Sequence, residues 1–297
     1  VMHIMFSLMM VSMMFVMIPQ ASASATRIHE VLEVEPKIKN PAQPRPSGPT
    51  RGRVEFRNVT FRYPGAERPA IDNVSFTANP GETTAIIGGT GAGKSTLVSL
   101  IPRFYDVNEG SILVDGVDVR EMTQEDLRAR IGYVPQAAML FSGSIAENLR
   151  YGKAEATLEE LHHAAEIAQA ADFIASLDEG FAHRVAQGGT NVSGGQKQRL
   201  TIARALVRQP EIYIFDDNFS ALDFKTEARL RAALRKKTTE STVFIVAQRV
   251  STVMDANRII VLDGGRVVGM GTHSELLKTC HTYREIVLSQ MGTEVSA

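Results

Sequence analysis

Residues 84–101 read TAIIGGTGAGKSTLVSLI, and the eight residues Gly88–Ser95 in their middle decide the reading of everything around them. GGTGAGKS matches GxxxxGK[ST] in full. It also stands where the chemistry of that pattern needs it, between an apolar β-branched run and the start of a helical one. Glycine lets the backbone turn its N–H groups toward phosphate oxygens, so Gly88, Gly89, Gly91 and Gly93, with Thr90 and Ala92 between them, form a candidate phosphate cradle. Lys94 would neutralise the outer phosphates and the Ser95 hydroxyl would ligate Mg²⁺. Thr96 continues the cradle into the helix.

Around this motif, Thr84–Ile87 (TAII), Ile212–Phe215 (IYIF) and Val243–Val246 (VFIV) are apolar without alternation. Such runs suit parallel strands covered on both faces, and the helical patterns between them predict an α/β core. Val54–Tyr63 (VEFRNVTFRY) alternates instead, and Ser111–Val119 (SILVDGVDV) turns at Asp115-Gly116, so both read as antiparallel strands beside the core. A further hairpin passes through Asp263-Gly264-Gly265. Residues 137–208 are mostly helical in pattern and predict an inserted helical subdomain.

The chain has 297 residues, which sets a prior of about two domains. Lys and Arg number 32 against 33 Asp and Glu, a balance that gives no electrostatic footprint for nucleic acid. Cys280 is the single cysteine, so no internal disulfide and no CxxC site exist, and it reads as an ordinary helix-end residue. The absence of Trp and 6% aromatics argue against carbohydrate or base-stacking platforms.

Two biased segments organise the rest. Seven of the twelve Met lie in the first seventeen residues, and five of the twelve Pro lie between Pro36 and Pro49. Val1–Ile18 carries His3 as its only titratable side chain, and eighteen helical residues rise about 27 Å, close to bilayer thickness. Ala21–Ala25 resembles a cleavage site, but no Lys or Arg precedes the apolar run, and a buried helix apolar all round would need a large surrounding core. A transmembrane helix or its cytoplasmic half is the expectation, with Thr26–Glu35 as its polar exit. The chain begins with Val rather than Met, so we expect a piece of a longer protein with this span the last helix of a membrane domain. Residues 36–52 then read as a semi-extended tether, although a proline-rich ligand for a partner module has the same composition. The domain divisions are therefore 1–35, 36–52 and 53–297.

Other residues carry candidate chemistry. Tyr63, about 25 residues before the glycine loop, is either an adenine-stacking ring or an ordinary strand aromatic. Ser193 and Gln196 have capping-box spacing around Gly194 and Gly195. Two glycines in a first helical turn cost about 1 kcal/mol each relative to Ala, so a close backbone approach is expected there. IYIFDD ends a buried strand in two carboxylates: Asp216 is placed to hold Mg²⁺ through water, and Asp217 to sit over a terminal phosphate. Gln136, in GYVPQ, is by itself a loop amide. His162 and His163 are adjacent, face different sides of a helix, and read as surface.

Together these residues resemble the nucleotide-binding domain of ABC transporters, with the match covering about residues 53–290. The resemblance makes Tyr63 the aromatic loop, Gly88–Ser95 Walker A, and Gln136 the Q-loop residue, which contacts the metal. Ser193–Gln196 become the signature, Asp216 the end of Walker B, and Ser220–Asp223 the D-loop. It implies a P-loop ATPase core with an antiparallel β subdomain and an inserted helical subdomain, using ATP and Mg²⁺. The leading helix resembles the end of the sixth transmembrane helix of an exporter. The family stacks two such domains head to tail, each ATP lying between Walker A of one and the signature of the other. The implied setting is a multi-pass protein of the plasma or inner membrane, with its own transmembrane domain in lipid and the ATPase domain in the cytoplasm.

This sequence departs from the family's hydrolytic pattern twice. Asp217 stands where the general base is Glu, and one methylene less withdraws the carboxylate by about 1.5 Å. Gln248 stands where the switch residue is His, and an amide can donate a hydrogen bond but cannot become cationic. General-base catalysis is worth roughly 10²–10⁴-fold, so the two changes predict a degenerate site. The pair resembles the weak half of a heterodimeric exporter, with Ser193–Gln196 serving the partner's ATP. A homodimeric exporter using Asp217 as base, a soluble ABC ATPase and a regulatory ATP-binding module are the alternatives.

Overall fold

The computed structural model describes residues 1–46 and 51–291, which divide into two compact units, residues 1–39 and residues from 40 onward. Residues 47–50 of the proline-rich stretch and 292–297 of the domain lie outside the described residues. In the first unit, α1 (Met2–Leu32) is one helix that continues through Pro19 and through Ala21–Ala25. Its 31 residues rise about 46 Å, and none of its side chains is buried. The hydroxyls of Ser7, Ser12 and Thr26 donate to carbonyls four residues back at 2.9–3.0 Å, so these polar groups are satisfied without water. The helix is long and apolar enough to cross a membrane.

The second unit begins with β1 (Val54–Phe61), β2 (Ile71–Ala78) and β3 (Thr83–Gly88), followed by α2 (Lys94–Ser99). The hairpin β4 (Glu109–Val114) and β5 (Val117–Asp118) leads to α3 (Gln124–Ala129) and β6 (Ile131–Val134). The helical region holds β7 (Gly143–Ser144), α4 (Ile145–Arg150), α5 (Leu158–Ile167), α6 (Ala171–Ala175), β8 (Arg184–Val185) and α7 (Gly194–Val207). After β9 (Ile212–Asp216) come α8 (Phe224–Lys237), β10 (Thr242–Val246) and α9 (Val250–Val253). The hairpin β11 (Arg258–Asp263) and β12 (Arg266–Gly271) precedes α10 (His273–Thr279) and α11 (His281–Met291).

The central sheet has the order β12-β11-β3-β10-β9-β6, all parallel except the antiparallel edge strand β12. An antiparallel sheet, β2-β1-β4-β5, lies beside it. The missing alternation in the central strands has a physical cause. Ala85, Ile87, Tyr213, Phe215, Val243 and Ile245 enter the core under the helical region, whereas Ile86, Ile212, Ile214, Phe244 and Val246 enter the core shared with the antiparallel sheet and α2. Each fully buried side chain of this size contributes roughly 1.5–3 kcal/mol, so both faces of these strands are predominantly apolar. The fold is the α/β ABC ATPase architecture expected from the sequence.

In the helical region α4, α5 and α7 start on capping boxes, Ser144 with Glu147, Thr157 with Glu160, and Ser193 with Gln196. Arg204 of α7 fastens the region by donating to Asn148 O, Asn148 Oδ1 and Met139 O at 2.8–3.0 Å. The β7–β8 pair inside it has only two residues per strand and left no periodic signal in the sequence. The proline-rich stretch is also less free than its composition indicates. Asn40 Oδ1 accepts from Gln124 N at 2.9 Å, and Arg45 N donates to Glu121 O at 2.9 Å, holding residues 40–45 against the start of α3.

Candidate functional site

Strand order assembles the site. β3, β10, β9 and β6 are consecutive neighbours, and all four run parallel, so the segments leaving their carboxyl ends converge. Those segments carry the glycine loop, Gln248, Asp216-Asp217 and Gln136 respectively. This is the edge at which open α/β sheets bind ligands. A cleft of about 330 Å³ opens there, lined among others by Tyr63, Gly91, Lys94, Gln136, Asp217 and Gln248.

The glycines of the loop serve two distinct purposes. A Cβ on Gly88 would lie 2.1 Å from Leu262 O, and one on Gly93 (φ +97°) 2.6 Å from Ala70 O, so these two allow neighbouring backbone to pack against the loop. Gly89 and Gly91 face open space, and Gly91 has φ +79°. The amides of Lys94, Ser95 and Thr96 occupy the first turn of α2, where no intrahelical carbonyl is available to them. The Lys94 ammonium donates to Gly88 O and Gly89 O, both at 2.8 Å. Burial lowers its pKa, opposed by the charges of Asp217 and Asp216.

Ser95 Oγ donates to Asp216 Oδ1 at 2.7 Å, and Tyr133 donates its hydroxyl to Asp216 Oδ2 at 3.1 Å. A hydroxyl beside a carboxylate is a hard oxygen donor set, which suits Mg²⁺ completed by water and phosphate. Among the described residues no group of three or more His, Cys, Asp or Glu side chains converges to hold a metal. Tyr133 was not singled out by the sequence. Its only signal there was a hydroxyl-bearing ring in the otherwise apolar strand before Gln136.

Asp217 is held more tightly than its loop position suggests. Its backbone is left-handed, φ +48°, and its N–H donates to Val246 O at 3.0 Å. Its Oδ2 accepts from Gln248 Nε2 at 2.7 Å and, more weakly, from Gln136 Nε2 at 3.3 Å. The two departures from the hydrolytic pattern are therefore hydrogen-bonded to each other.

Burial raises the pKa of both Asp216 and Asp217. A raised folded-state pKa contributes stability that is complete below the ordinary carboxylate range and lost as pH rises through the raised value. Asp217→Asn is therefore expected to melt a few degrees higher than the parent at pH 7, with the difference shrinking as pH falls toward about 4. Thermal melts across that range check it, and a lower-melting variant at pH 7 would overturn it.

Tyr63 lies at the cleft's edge, its hydroxyl 3.0 Å from Thr96 Oγ1 and its ring edge-on to Phe61 and Tyr105 at 4.9 and 5.3 Å. Ser193–Gln196 do not line this cleft. Ser193 N donates to Gln196 Oε1 at 2.8 Å and Gln196 N to Ser193 Oγ at 3.3 Å, which closes the cap. A Cβ on Gly194 would meet nothing within 4 Å, and one on Gly195 would meet Ala221 O at 3.5 Å. The close approach that these glycines imply thus does not come from this chain's own described residues. His162 and His163 are both exposed, and Cys280 is buried at the end of α10.

Known proteins are similar to this chain in sequence and fold. Residues 71–220 match the model of the ABC transporter family. An uncharacterized ABC transporter ATP-binding protein of Mycobacterium tuberculosis is 48% identical over 292 residues, covering 97% of this chain and 50% of that protein. A β-(1→2)glucan export ATP-binding/permease protein of Rhodopseudomonas palustris is 46% identical over 276 residues, covering 92% of this chain and 46% of that protein. Among solved structures, a bacterial Atm1-family ABC exporter with ATP bound superposes with a TM-score of 0.88 at 38% identity, covering 94% of this chain and 49% of that one. The chain spans about half the length of the curated relatives it matches. With the glycine loop, the paired carboxylates and the capped helix at Ser193–Gln196 in one α/β fold, this chain belongs to the ABC transporter family and carries its ATP-binding domain.

Proposed function

We propose that this chain is the ATP-binding part of a membrane exporter subunit whose own nucleotide site binds ATP and hydrolyses it slowly. The observation that carries the slow-site reading is the Gln248–Asp217 hydrogen bond at 2.7 Å, reinforced by Gln136. A carboxylate oxygen engaged by two amide donors is a poorer proton acceptor for an attacking water. Gln248 offers the terminal phosphate an N–H but no titratable ring.

The remaining residues bind. Tyr63 stacks on the base, the amides from Gly89 to Thr96 cradle the phosphates, and Lys94 turns from its loop carbonyls to the outer phosphates. Ser95, Asp216 and Gln136 hold Mg²⁺, which screens the phosphate charge. Ser193–Gln196, with open space over Gly194, serve the ATP of a second half-transporter stacked head to tail, so the assembly is a heterodimer with one strong and one weak site. The exposed apolar surface of α1 supports a place in the membrane with the ATPase domain on the cytoplasmic side. A relative named for glucan export supports export as the process.

A second reading is a homodimeric exporter with Asp217 as the working base, favoured by the burial that raises its basicity. Equilibrium binding followed by chase of radiolabelled Mg-ATP on the full chain separates them. Retention of intact ATP is the expected result. Release of ADP at multiple turnovers per minute would overturn the slow-site reading.

A further inference from the structure

The last turn of α11 reaches the loop that carries Gln248 into the cleft, and does so through one side chain. Gln290 Oε1 accepts from Val250 N at 2.8 Å, and Gln290 Nε2 donates to Gln248 O at 2.7 Å. One carboxamide therefore spans the backbone of the Gln248–Val250 loop, satisfying an amide and a carbonyl together. On the same loop Gln248 Nε2 donates to Asp217 Oδ2 at 2.7 Å, while Arg249 is held more loosely, at 3.4 Å from Ser220 O and 3.5 Å from Glu227. α11 itself is firmly seated. Tyr283 and Val287 are fully buried with Val250 and Val253 in one core, and the Tyr283 hydroxyl lies 2.7 Å from His273 Nδ1. Tyr283, Val287 and Gln290 follow at i, i+4 and i+7, so the apolar face of the helix ends in this amide.

We infer that Gln290 is a positioning residue for Gln248, fixing the loop so that the Gln248 amide meets the terminal phosphate of ATP. The inference rests on the proposed placement of Gln248 over that phosphate. A carboxamide on a helix anchored by the buried Tyr283 and Val287 restrains the loop's carbonyl and amide directions, and Gln248 leaves the same backbone. Without that restraint the backbone that carries Gln248 must be ordered on binding, at a cost that ATP bears and ADP does not.

The test is a set of calorimetric affinities for Mg-ATP and Mg-ADP on the full chain in detergent. The variants are Gln290→Ala, Gln248→Ala and the double variant. Gln290→Ala is expected to weaken ATP about 5–10-fold and leave ADP within about twofold, as expected for losing roughly one oriented hydrogen bond. Gln248→Ala moves the same ratio, and the double variant adds nothing further, because the two residues act on one contact. Gln290→Glu keeps the acceptor for Val250 N and loses the donor, so it falls between. An unchanged ATP-to-ADP ratio in Gln290→Ala beside a changed one in Gln248→Ala overturns the inference alone. Equal losses for both nucleotides in Gln290→Ala also overturn it. An unchanged ratio in Gln248→Ala overturns the placement of Gln248 and the inference with it.

Discussion

Replacing Asp217 by Glu and Gln248 by His together is expected to raise single-turnover hydrolysis of Mg-ATP by about 10²-fold or more, measured on full chain concentrated enough to pair. The gain comes from reach and from release. Glu extends the carboxylate by one methylene toward the water that attacks the terminal phosphorus, and it takes that water's proton as ADP leaves. Removing the Gln248 amide frees the oxygen that it now engages at 2.7 Å, and an imidazole in its place can carry charge to the phosphate. Because the two residues touch, their effects are expected to be non-additive, with each single change giving well under half of the double change on a logarithmic scale. Brisk turnover by the parent chain, unimproved by the double change, would sink the slow-site reading and leave Asp217 as a competent base.

Lys94→Met is expected to lower ATP affinity by about 10²-fold or more while raising the melting temperature of the ligand-free protein. Charge-assisted hydrogen bonds contribute about 1.5–3 kcal/mol each, and Lys94 reaches more than one phosphate oxygen in the proposed complex. The stability effect has the opposite sign. Burial lowers the Lys94 pKa, so its charged form weighs on the fold at neutral pH, and that burden lifts as pH rises toward the ordinary lysine range. Methionine has similar length and no charge to bury. Thermal shift with and without Mg-ATP reads both effects, and an affinity unchanged by the substitution would remove Lys94 from the phosphate site.

Features coded by spacing were legible in the sequence. The glycine loop, the two-faced strands and the hairpins at Asp115-Gly116 and Gly264-Gly265 all appear where local pattern placed them. What escaped was contact made over distance. Tyr133 and Asp216 are 83 residues apart, and Gln290 and Gln248 are 42 apart, with nothing local marking either pair. The glycines were read correctly as glycines but for one reason where there are two. Gly88 and Gly93 are glycine because Leu262 and Ala70 carbonyls press on them, and only the folded packing contains that information. The mutual engagement of Asp217 and Gln248 was likewise invisible, since the sequence presents them as separate substitutions.

The left-handed backbone at Asp217 bears on how such a site changes over evolutionary time. Asp and Asn tolerate φ near +48° far better than Glu, whose longer side chain gains nothing from local hydrogen bonding there. A glutamate base at this position therefore holds backbone strain of order 1 kcal/mol that only selection for turnover maintains. Under the proposed pairing, in which a partner's site carries the chemical work, a change from Glu to Asp would relieve the strain and be favoured by folding stability alone. On that proposal the shorter acid is the resting point of a relaxed position, and recovering the base by mutation would run uphill in stability.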